Sequence, residues 1–324
     1  MSVTIIGNGV LKVRVGDYFI PFNYPAASPL ITGGDEVFDI VIDGVSYRNH
    51  VFKSDGLLDV KKAGNVDCLI VAGGGGGGGS PHGGGGGAGG LIFREALSLS
   101  IQTHVINIGL GGVGFQGKVS APWAAAGTNY GENGSDSTAF DLVSIGGGGG
   151  GGYDASANQI TIARVGGSGG GGSGGAGNGT GASGSQPVSE SSGFGNSGGG
   201  GGEISGSGEF PAGGGGGGSN QQGSVLYGGN GRTYASVFGN TVGEEGLFAG
   251  GGGGSLYENS APSSTTGGLG GGGNGGLAEG SPHAPTDGIS NTGGGGGGAE
   301  RYSTAAAKGG DGGSGVVIIR YAIS

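Results

Sequence analysis

Val66-Asp-Cys-Leu-Ile-Val-Ala-Gly-Gly-Gly-Gly-Gly-Gly-Gly79 is the stretch that decides the fold, because an apolar strand passes directly into a run of glycines. The chain has 97 glycines among 324 residues, against an average usage of about 7%. The glycines form solid runs and there are only 10 prolines, which excludes the strict Gly-X-Y repeat of collagen. With 33% hydrophobic residues and a mean hydropathy of -0.04, the composition also differs from that of a disordered linker. We therefore expect an ordered protein built on its glycine runs.

Glycine-rich segments recur through most of the chain. Between residues 73 and 315 they are 73–79, 83–90, 146–152, 166–175, 198–202, 213–218, 250–254, 267–276, 293–298 and 309–315. Ordering one residue of backbone costs about 1–2 kcal/mol, and glycine has no side chain whose burial could offset that cost. Glycine also disfavours an α-helix by about 1 kcal/mol relative to alanine. The remaining possibility is that the glycine runs are extended segments joined by main-chain hydrogen bonds.

The polyproline-II conformation satisfies this requirement. It has three residues per turn, so successive N–H and C=O groups point outward in steps of about 120°, and glycine leaves every N–H free to donate. Each such helix can bond to neighbours on all sides, which satisfies the buried polar groups of the backbone. The sequence therefore predicts a polyglycine-II lattice, a hexagonal sandwich of glycine helices about 22 Å thick for a seven-residue run.

Outside the glycine runs the sequence predicts short β-strands. We expect them at 37–42, 45–52 and 66–72, with further strand pieces at 3–6, 11–15, 91–108 and 315–323. The last piece is apolar enough to pair centrally in a sheet. The predicted organisation is a docking arm at 1–34, a small antiparallel β-meander serving as an attachment module at 35–72, a polyglycine-II domain with protruding loops at 73–315 and a closing strand at 316–324. Essentially no α-helix is expected.

Charge and cysteine content narrow the function classes. The net charge is -10, from 13 Lys and Arg against 23 Asp and Glu, which argues against binding to nucleic acid. No stretch approaches the roughly 20 apolar residues of a membrane span, and the first residues lack the basic and apolar regions of a signal peptide. We therefore expect neither membrane insertion nor a secretion signal. The single cysteine, Cys68, excludes an intramolecular disulfide and is predicted to be buried.

No arrangement of side chains predicts catalysis or a bound cofactor. The four histidines have no pair at the spacing of helical metal ligands: His50, His82, His104 and His283. The motif Ser-Pro-His, at 80–82 and again at 281–283, is interpreted as a compact turn. Four loop carboxylates could serve a glycosidase: Asp154, Glu209, Glu258 and Glu300. Such an enzyme needs two carboxyl groups at a fixed separation, which the sequence does not show. We expect solvated carboxylates, no enzyme activity, no cofactor and no metal.

Three passages resemble a known family. They are Val37-Phe-Asp-Ile-Val-Ile-Asp-Gly44, the passage from Val66 into its glycine run, and Gly312-Gly-Ser-Gly-Val-Val-Ile-Ile-Arg-Tyr321. With the glycine runs between them, they resemble the glycine-rich tail-fibre and adhesin proteins of tailed bacteriophages, over residues 37 to 324. In the adhesins of T-even-like phages such runs form a polyglycine-II sandwich whose loops contact the bacterial surface. The resemblance implies a virion protein that is attached to other fibre proteins through its N-terminal region and binds a host-surface protein or glycan.

The up-and-down course of the segments predicts which loops share a face. The short link 80–82 forces a reversal, so the short connections 80–82, 153–165, 203–212, 255–266 and 299–308 are expected at the end away from the N-terminal meander. Each of the last four holds one aromatic residue beside polar neighbours. The predicted receptor-binding residues are Tyr153, Asp154, Phe210, Tyr257, Asn259 and Tyr302. An aromatic plane with adjacent polar groups suits a sugar ring or an exposed protein loop.

Three alternatives stay open at this stage. The aromatic rings could instead cap the ends of the lattice by packing over it. If residues 176–185 form a further lattice strand, later loops change face, and the loop 219–249 with Tyr227, Tyr234 and Phe238 becomes the binding surface. The protein could also be a purely architectural component of a virion that binds no receptor. Association of several copies is compatible with each of these.

Overall fold

The computed structural model of the chain describes residues 2–6, 10–15, 18–22, 28–116, 129–154, 159–160, 162–175, 178–205, 209–257, 265–278, 283–300 and 308–323. In chain order its strands are β1 (Ser2–Ile6), β2 (Val10–Val15), β3 (Tyr18–Phe22), β4 (Leu30–Thr32), β5 (Glu36–Ile42), β6 (Val45–Phe52), β7 (Gly56–Lys62), β8 (Gly64–Val71), β9 (Leu91–Leu99), β10 (Thr103–Ile106), β11 (Ser137–Ala139), β12 (Leu142–Ser144), β13 (Tyr153–Asp154), β14 (Gln159–Ile160), β15 (Gly202–Ser205), β16 (Glu209–Ala212), β17 (Arg232–Thr233), β18 (Leu247–Phe248) and β19 (Val316–Ala322). The described helices are one α-helical turn, α1 (Ala235–Phe238), and a 3-10 turn at Gln186–Val188. The prediction of essentially no α-helix is confirmed.

The closing strand completes a five-stranded antiparallel sheet with the order β5-β6-β19-β8-β9. β19 pairs with β6 on one side and with β8 on the other, so the prediction that it lies centrally is confirmed. Its run of buried residues from Val316 to Tyr321 faces a core on both sides, as expected for a strand with no polar face. The strands of 35–72 do not form the predicted antiparallel meander by themselves, because β19 lies between β6 and β8, and β7 belongs to another sheet.

The two faces of this sheet pack against different partners. Val317, Ile319 and Tyr321 of β19 join a core with the second sheet, whose order is β10-β7-β4. Val316 and Ile318 alternate with them and pack on the other face, in a core formed with residues of 234–249. This β-sandwich, together with the segment that contains α1, forms what we call the sheet end of the protein.

Segment 73–79 leaves β8 and shows the hydrogen bonding of a polyglycine-II helix. The amides of residues 73, 76 and 79 donate to segment 129–135, those of 74 and 77 to segment 310–313, and those of 75 and 78 to segment 84–87, at 2.8 to 3.1 Å. Its carbonyls accept in the same rhythm: 73 and 76 from segment 147–150, 74 and 77 from 112–115, and 75 and 78 from 296–299. A period of three with six neighbours is the hexagonal arrangement that the glycine run predicts.

The next segment, 83–90, is also surrounded by six neighbours. Its amides donate to segments 293–299, 145–151 and 214–217, and its carbonyls accept from 72–78, 168–171 and 252–255. Glycine is required here by close approach: a Cβ added at Gly86 would lie 2.0 Å from the carbonyl oxygen of Gly75. We call the whole set of parallel and antiparallel segments the bundle.

The bundle contains segments that the glycine runs did not predict. Segments 109–115 and 129–135 run beside 73–79, although neither is among the predicted glycine-rich segments. Two further segments descend beside 166–175: residues 162–165, through Arg164, and residues 178–185, through Gly179 and Ala182. The second of these is the extra strand considered above. Each added segment reverses the course of the chain once, so the two reversals cancel. The short connections after residue 202 therefore start from the predicted end of the bundle.

Strands β1, β2 and β3 form a separate small sheet. β1 pairs with β2 and β2 with β3, all antiparallel, as expected for the first two strands of the predicted arm. Their register places Val3, Val13 and Ile20 in one cross-strand row. Within the described residues, the longest helix is far too short to cross a membrane.

Candidate functional site

The end of the bundle opposite the five-stranded sheet gathers several chain reversals, and we call it the loop end. Segment 73–79 reaches it at Gly79, whose amide donates to the Asn129 carbonyl at 2.9 Å. The chain returns at Gly83, whose amide donates to the carbonyl of Ala299 and whose carbonyl accepts from the amide of Ser255. The points at which the chain leaves the bundle after residues 79, 255 and 299 therefore meet at one end, as the up-and-down argument predicts.

The first reversal is made by Ser80, Pro81 and His82. His82 has φ +59°, a left-handed conformation that is uncommon for a non-glycine residue and persists only where its surroundings hold it. Its amide donates to Glu300 Oε2 at 3.1 Å, and its Nδ1 lies 3.1 Å from the same oxygen. Its carbonyl accepts from the amide of Gly174 at 2.9 Å. The turn is thus fixed to two separate parts of the bundle.

Glu300 is the anchor of this turn and is fully buried. Besides its contacts with His82, its Oε2 accepts a hydrogen bond from Ser255 Oγ at 3.0 Å. The prediction that Glu300 is a solvated loop carboxylate is therefore wrong. Position 300 directly follows a bundle segment, so its side chain enters the ends of the neighbouring helices instead of water, and buried carboxylates require partners of this kind.

An aromatic cluster surrounds the His82 ring, which is 13% exposed. The ring centroid of Tyr153 lies 5.8 Å away at an interplanar angle of 33°, and that of Tyr257 lies 6.0 Å away at 76°. Tyr257 is 36% exposed and Tyr153 is partly buried. The carbonyl of Tyr153 accepts from Asn129 Nδ2 at 3.0 Å, and a Cβ at Gly175 would touch its ring at 3.1 Å. The structure thus brings two of the six predicted residues together around a histidine that sequence reasoning had treated as part of a turn.

The other predicted residues are less fully described. Asp154 ends β13, and Phe210 lies in β16, which pairs with β15 at the loop end; the placement of both side chains lies outside the described part. Asn259 and Tyr302 lie outside the described residues altogether. We considered above that aromatic rings cap the bundle. At one place the buried side chains are aliphatic instead of aromatic: Ala212, Leu226, Leu256 and Leu277.

The alternative surface on 219–249 is contradicted for two of its three aromatic residues. Tyr234 is 9% exposed and Phe238 is fully buried, and both pack on Phe93 with ring centroids 4.9 and 6.0 Å away. Burial raises the pKa of Tyr234 to about 12. These rings are apolar enough to cover the outer face of the five-stranded sheet, which explains why the loop folds back on it. Tyr227 remains 36% exposed.

The described groups of the loop end do not form a metal site. No cluster of three or more His, Cys, Asp or Glu suited to a metal ion is found within the described residues. His82 is turned to Glu300, whereas Nδ1 of His283 lies 3.4 Å from the Ala284 carbonyl. What the cluster offers is two phenol rings and an imidazole on a rigid base, with exposed apolar area and polar edges, which suits the recognition of a flat ligand surface.

Comparison with known proteins identifies a family and no individual relative. A search of curated proteins found no similar sequence. The family model for the glycine-rich domain matches residues 58–322, a range that begins in β7 and ends at the last residue of β19. It therefore takes in the bundle together with the strands that close the five-stranded sheet. The chain belongs to the glycine-rich domain family.

Proposed function

We propose that this protein is a bacteriophage virion adhesin, located in the tail fibre or tail tip, that binds a host-surface protein or glycan through its loop end. The phage origin is supported by the sequence resemblance over residues 37 to 324. The observation that carries the binding role is the cluster of Tyr153, His82 and Tyr257, held by the buried Glu300 at the end opposite the sheet. In this proposal the small sheet of β1, β2 and β3 and the sheet end attach to other virion proteins.

The fixed position of the residues at the base of the loops favours a receptor-binding role over that of a purely architectural virion component. Rings that are fixed before binding lose little conformational freedom on contact, so their apolar area contributes efficiently to affinity. Loops on a rigid scaffold are also the usual place for recognition residues. Asp154, Phe210, Asn259 and Tyr302 are proposed to extend the same surface, since their loops belong to the set predicted at this end.

The proposal assigns no catalytic step, no cofactor and no nucleic acid ligand. The net charge of -10 repels the phosphate backbone. A receptor that presents neutral or cationic groups beside an apolar patch fits the surface better, because its described side chains are aromatic and its predicted neighbours include a carboxylate, Asp154.

Replacing both tyrosines tests the binding role. The variant Tyr153→Ala/Tyr257→Ala should remain folded, because loop tips tolerate change. Each aromatic anchor contributes about 1–3 kcal/mol to binding, so adsorption of the labelled protein to cells that bind the parent should weaken at least ~30-fold. Tyr227→Ala is the matched control, since Tyr227 and Tyr257 are both 36% exposed.

Two outcomes would count against the proposal. If the double variant adsorbs like the parent while Tyr227→Ala does not, the binding surface lies elsewhere. If neither variant changes adsorption and the loop end is buried in the assembled particle, the protein is an architectural virion component.

A further inference from the structure

The β10 strand ends one sheet with an unpaired edge. Among the strands that the structure describes, in the order β10-β7-β4, it pairs with β7 alone. The amide of Val60 donates to the Gln102 carbonyl, and His104 stands opposite Leu58, so the even-numbered residues of this strand bond toward β7. In an antiparallel ladder the backbone groups of alternate residues point to opposite sides. The N–H and C=O groups of Thr103 and Val105 therefore point away from the sheet.

The next outward-pointing residue, Asn107, is already paired through its backbone. Asn107 and Thr138 exchange both backbone hydrogen bonds, at 2.9 and 3.0 Å, so β11 begins to add to the β10 edge. The chain then turns away at Phe140 and Asp141, which have φ +53° and +59°. Two left-handed residues make the tight hairpin turn that normally prefers Asn-Gly. The reversal of the chain at this turn ends the pairing with β10, and no described backbone group is bonded to the outward side of Thr103 or Val105.

A cleft of about 680 Å³ lies where the added strand would continue. It opens between the ends of β9 and β10 and the β11–β12 hairpin, so its floor is the rim of the sandwich core. Leu97, Phe140 and Leu142 contact that core and are only partly buried. The imidazole of His104 stacks edge-on against Phe140 with centroids 5.0 Å apart, and its buried Nε2 has no hydrogen-bond partner. Asp141 is the one acidic residue in the described lining.

We propose that this cleft accepts an extended strand from a partner protein, which pairs with the β10 edge beside Thr103 and Val105. Strand addition gives affinity through main-chain hydrogen bonds and selectivity through pockets for alternate side chains. A residue opposite His104 would place its side chain on the same side of the sheet as that imidazole, and so into the apolar part of the cleft. Its neighbours would lie on the outer face with Val105, which is 60% exposed.

The chemistry of the cleft defines the partner strand. Alternate residues must be apolar to cover Leu97, Phe140 and Leu142. The residues between them should be basic, because Asp141 lines the cleft, Glu190 lines the adjoining surface, and the whole chain carries a charge of -10. This site lies at the sheet end and is independent of the receptor-binding role proposed for the loop end.

A labelled hexapeptide tests the site on the purified full-length protein. The probe is Val-Lys-Leu-Arg-Ile-Lys, which alternates apolar and basic residues and does not occur in this chain, and the control probe carries Asp in place of Lys and Arg. We expect saturable binding by fluorescence anisotropy, at least ~10-fold weaker for the acidic probe. Val105→Pro removes an outward N–H that is not used by β7, a position where edge strands tolerate proline, and should weaken binding ~5-fold or more. Val41→Pro is the matched control on the edge strand β5, where Val41 is 69% exposed.

Hydrogen exchange gives a second measurement that needs no variant. Saturation with the basic probe should slow exchange at the amides of Thr103 and Val105 and leave that of Val41 unchanged. The proposal is overturned if the probe fails to bind at millimolar concentration, if it binds Val105→Pro and the parent equally, or if the two amides stay unprotected. It also fails if the parent is a dimer that Val105→Pro converts to a monomer, since the occupant is then a second copy of this chain.

Discussion

Replacing Gly76 by alanine adds one methyl group at the centre of the bundle. Its Cβ would lie 2.3 Å from the carbonyl oxygen of Val113, 2.5 Å from the Val113 carbonyl carbon and 2.7 Å from the Gly114 nitrogen. All three atoms belong to backbone, so no side chain can rotate away. Gly76 donates to Glu132 and accepts from Gly150, both at 2.9 Å, and any shift that relieves the contact lengthens these bonds.

The expected loss of stability follows from these contacts. Overpacking by one methyl group costs about 1–3 kcal/mol, and each buried backbone group left without its partner costs about 1–3 kcal/mol more. With two hydrogen bonds weakened, we expect Gly76→Ala to lower the free energy of unfolding by at least ~3 kcal/mol. That is a large share of the ~5–15 kcal/mol that holds a typical protein folded. Gly215→Val should act in the same way, because a Cβ there would lie 2.0 Å from the Tyr227 carbonyl oxygen.

Gly200→Ala is the matched control, since it makes the same change inside another glycine run. The nearest atom to a Cβ at Gly200 is the Gly179 carbonyl oxygen at 3.5 Å, an ordinary contact. Such a substitution stabilises by about 0.4–1 kcal/mol when the backbone can adopt it. Urea unfolding measured by circular dichroism, together with the reactivity of the buried thiol of Cys68, compares the two variants. If they differ by less than 1 kcal/mol, the close packing of glycine helices is not what stabilises this protein.

Two further changes test buried polar groups. His50 is 2% exposed and burial lowers its pKa; the folded state therefore binds the proton less readily than the unfolded state, and stability should fall as pH drops below about 6.5. His50→Gln should remove this contribution, so the urea midpoint should fall less between pH 7 and pH 5 than in the parent. A midpoint that falls as steeply as in the parent would contradict this. Glu300→Ala leaves the His82 amide and Ser255 Oγ without their acceptor, so we expect a loss of about 2–4 kcal/mol and a smaller loss in Glu300→Gln. Equal thermal stability of both variants and the parent would show that Glu300 does not hold the turn.

The lattice was predictable because long glycine runs leave the backbone a single way to satisfy its hydrogen bonds. Central segments such as 73–79 and 83–90 have neighbours on six sides, so nearly every position must be glycine and the signal is strong. The closing strand was predictable for a similar reason, since a continuous apolar run must be covered on both faces. In each case the sequence is constrained at every position.

Segments at the rim of the bundle escaped prediction because they need glycine at only some positions. Along segment 109–116 the side chains of Leu110, Val113 and Gln116 are exposed and recur every third residue, which marks the outer side of the helix. The glycines at 111, 112 and 114 face inward, where a Cβ would lie 1.8 to 2.1 Å from a neighbouring carbonyl oxygen. A period of three in glycine, without a continuous run, is the signal that would have identified this segment.

The aromatic cluster shows where prediction from the sequence ended. The positions of Tyr153 and Tyr257 after bundle segments were enough to place them at one end, but not to bring them to His82. That contact depends on the lateral order of segments whose contacting residues are 71 and 175 positions from His82 in the chain. Glycine helices carry no side chains that could specify which segment lies beside which. The specific contacts come instead from the residues at the ends of the segments, of which Glu300 is the clearest case: one carboxylate joins the turn at 80–82 to the segment ending at Ser255. Main-chain bonding therefore stabilises the bundle, while the few buried polar residues at its ends determine which loops meet.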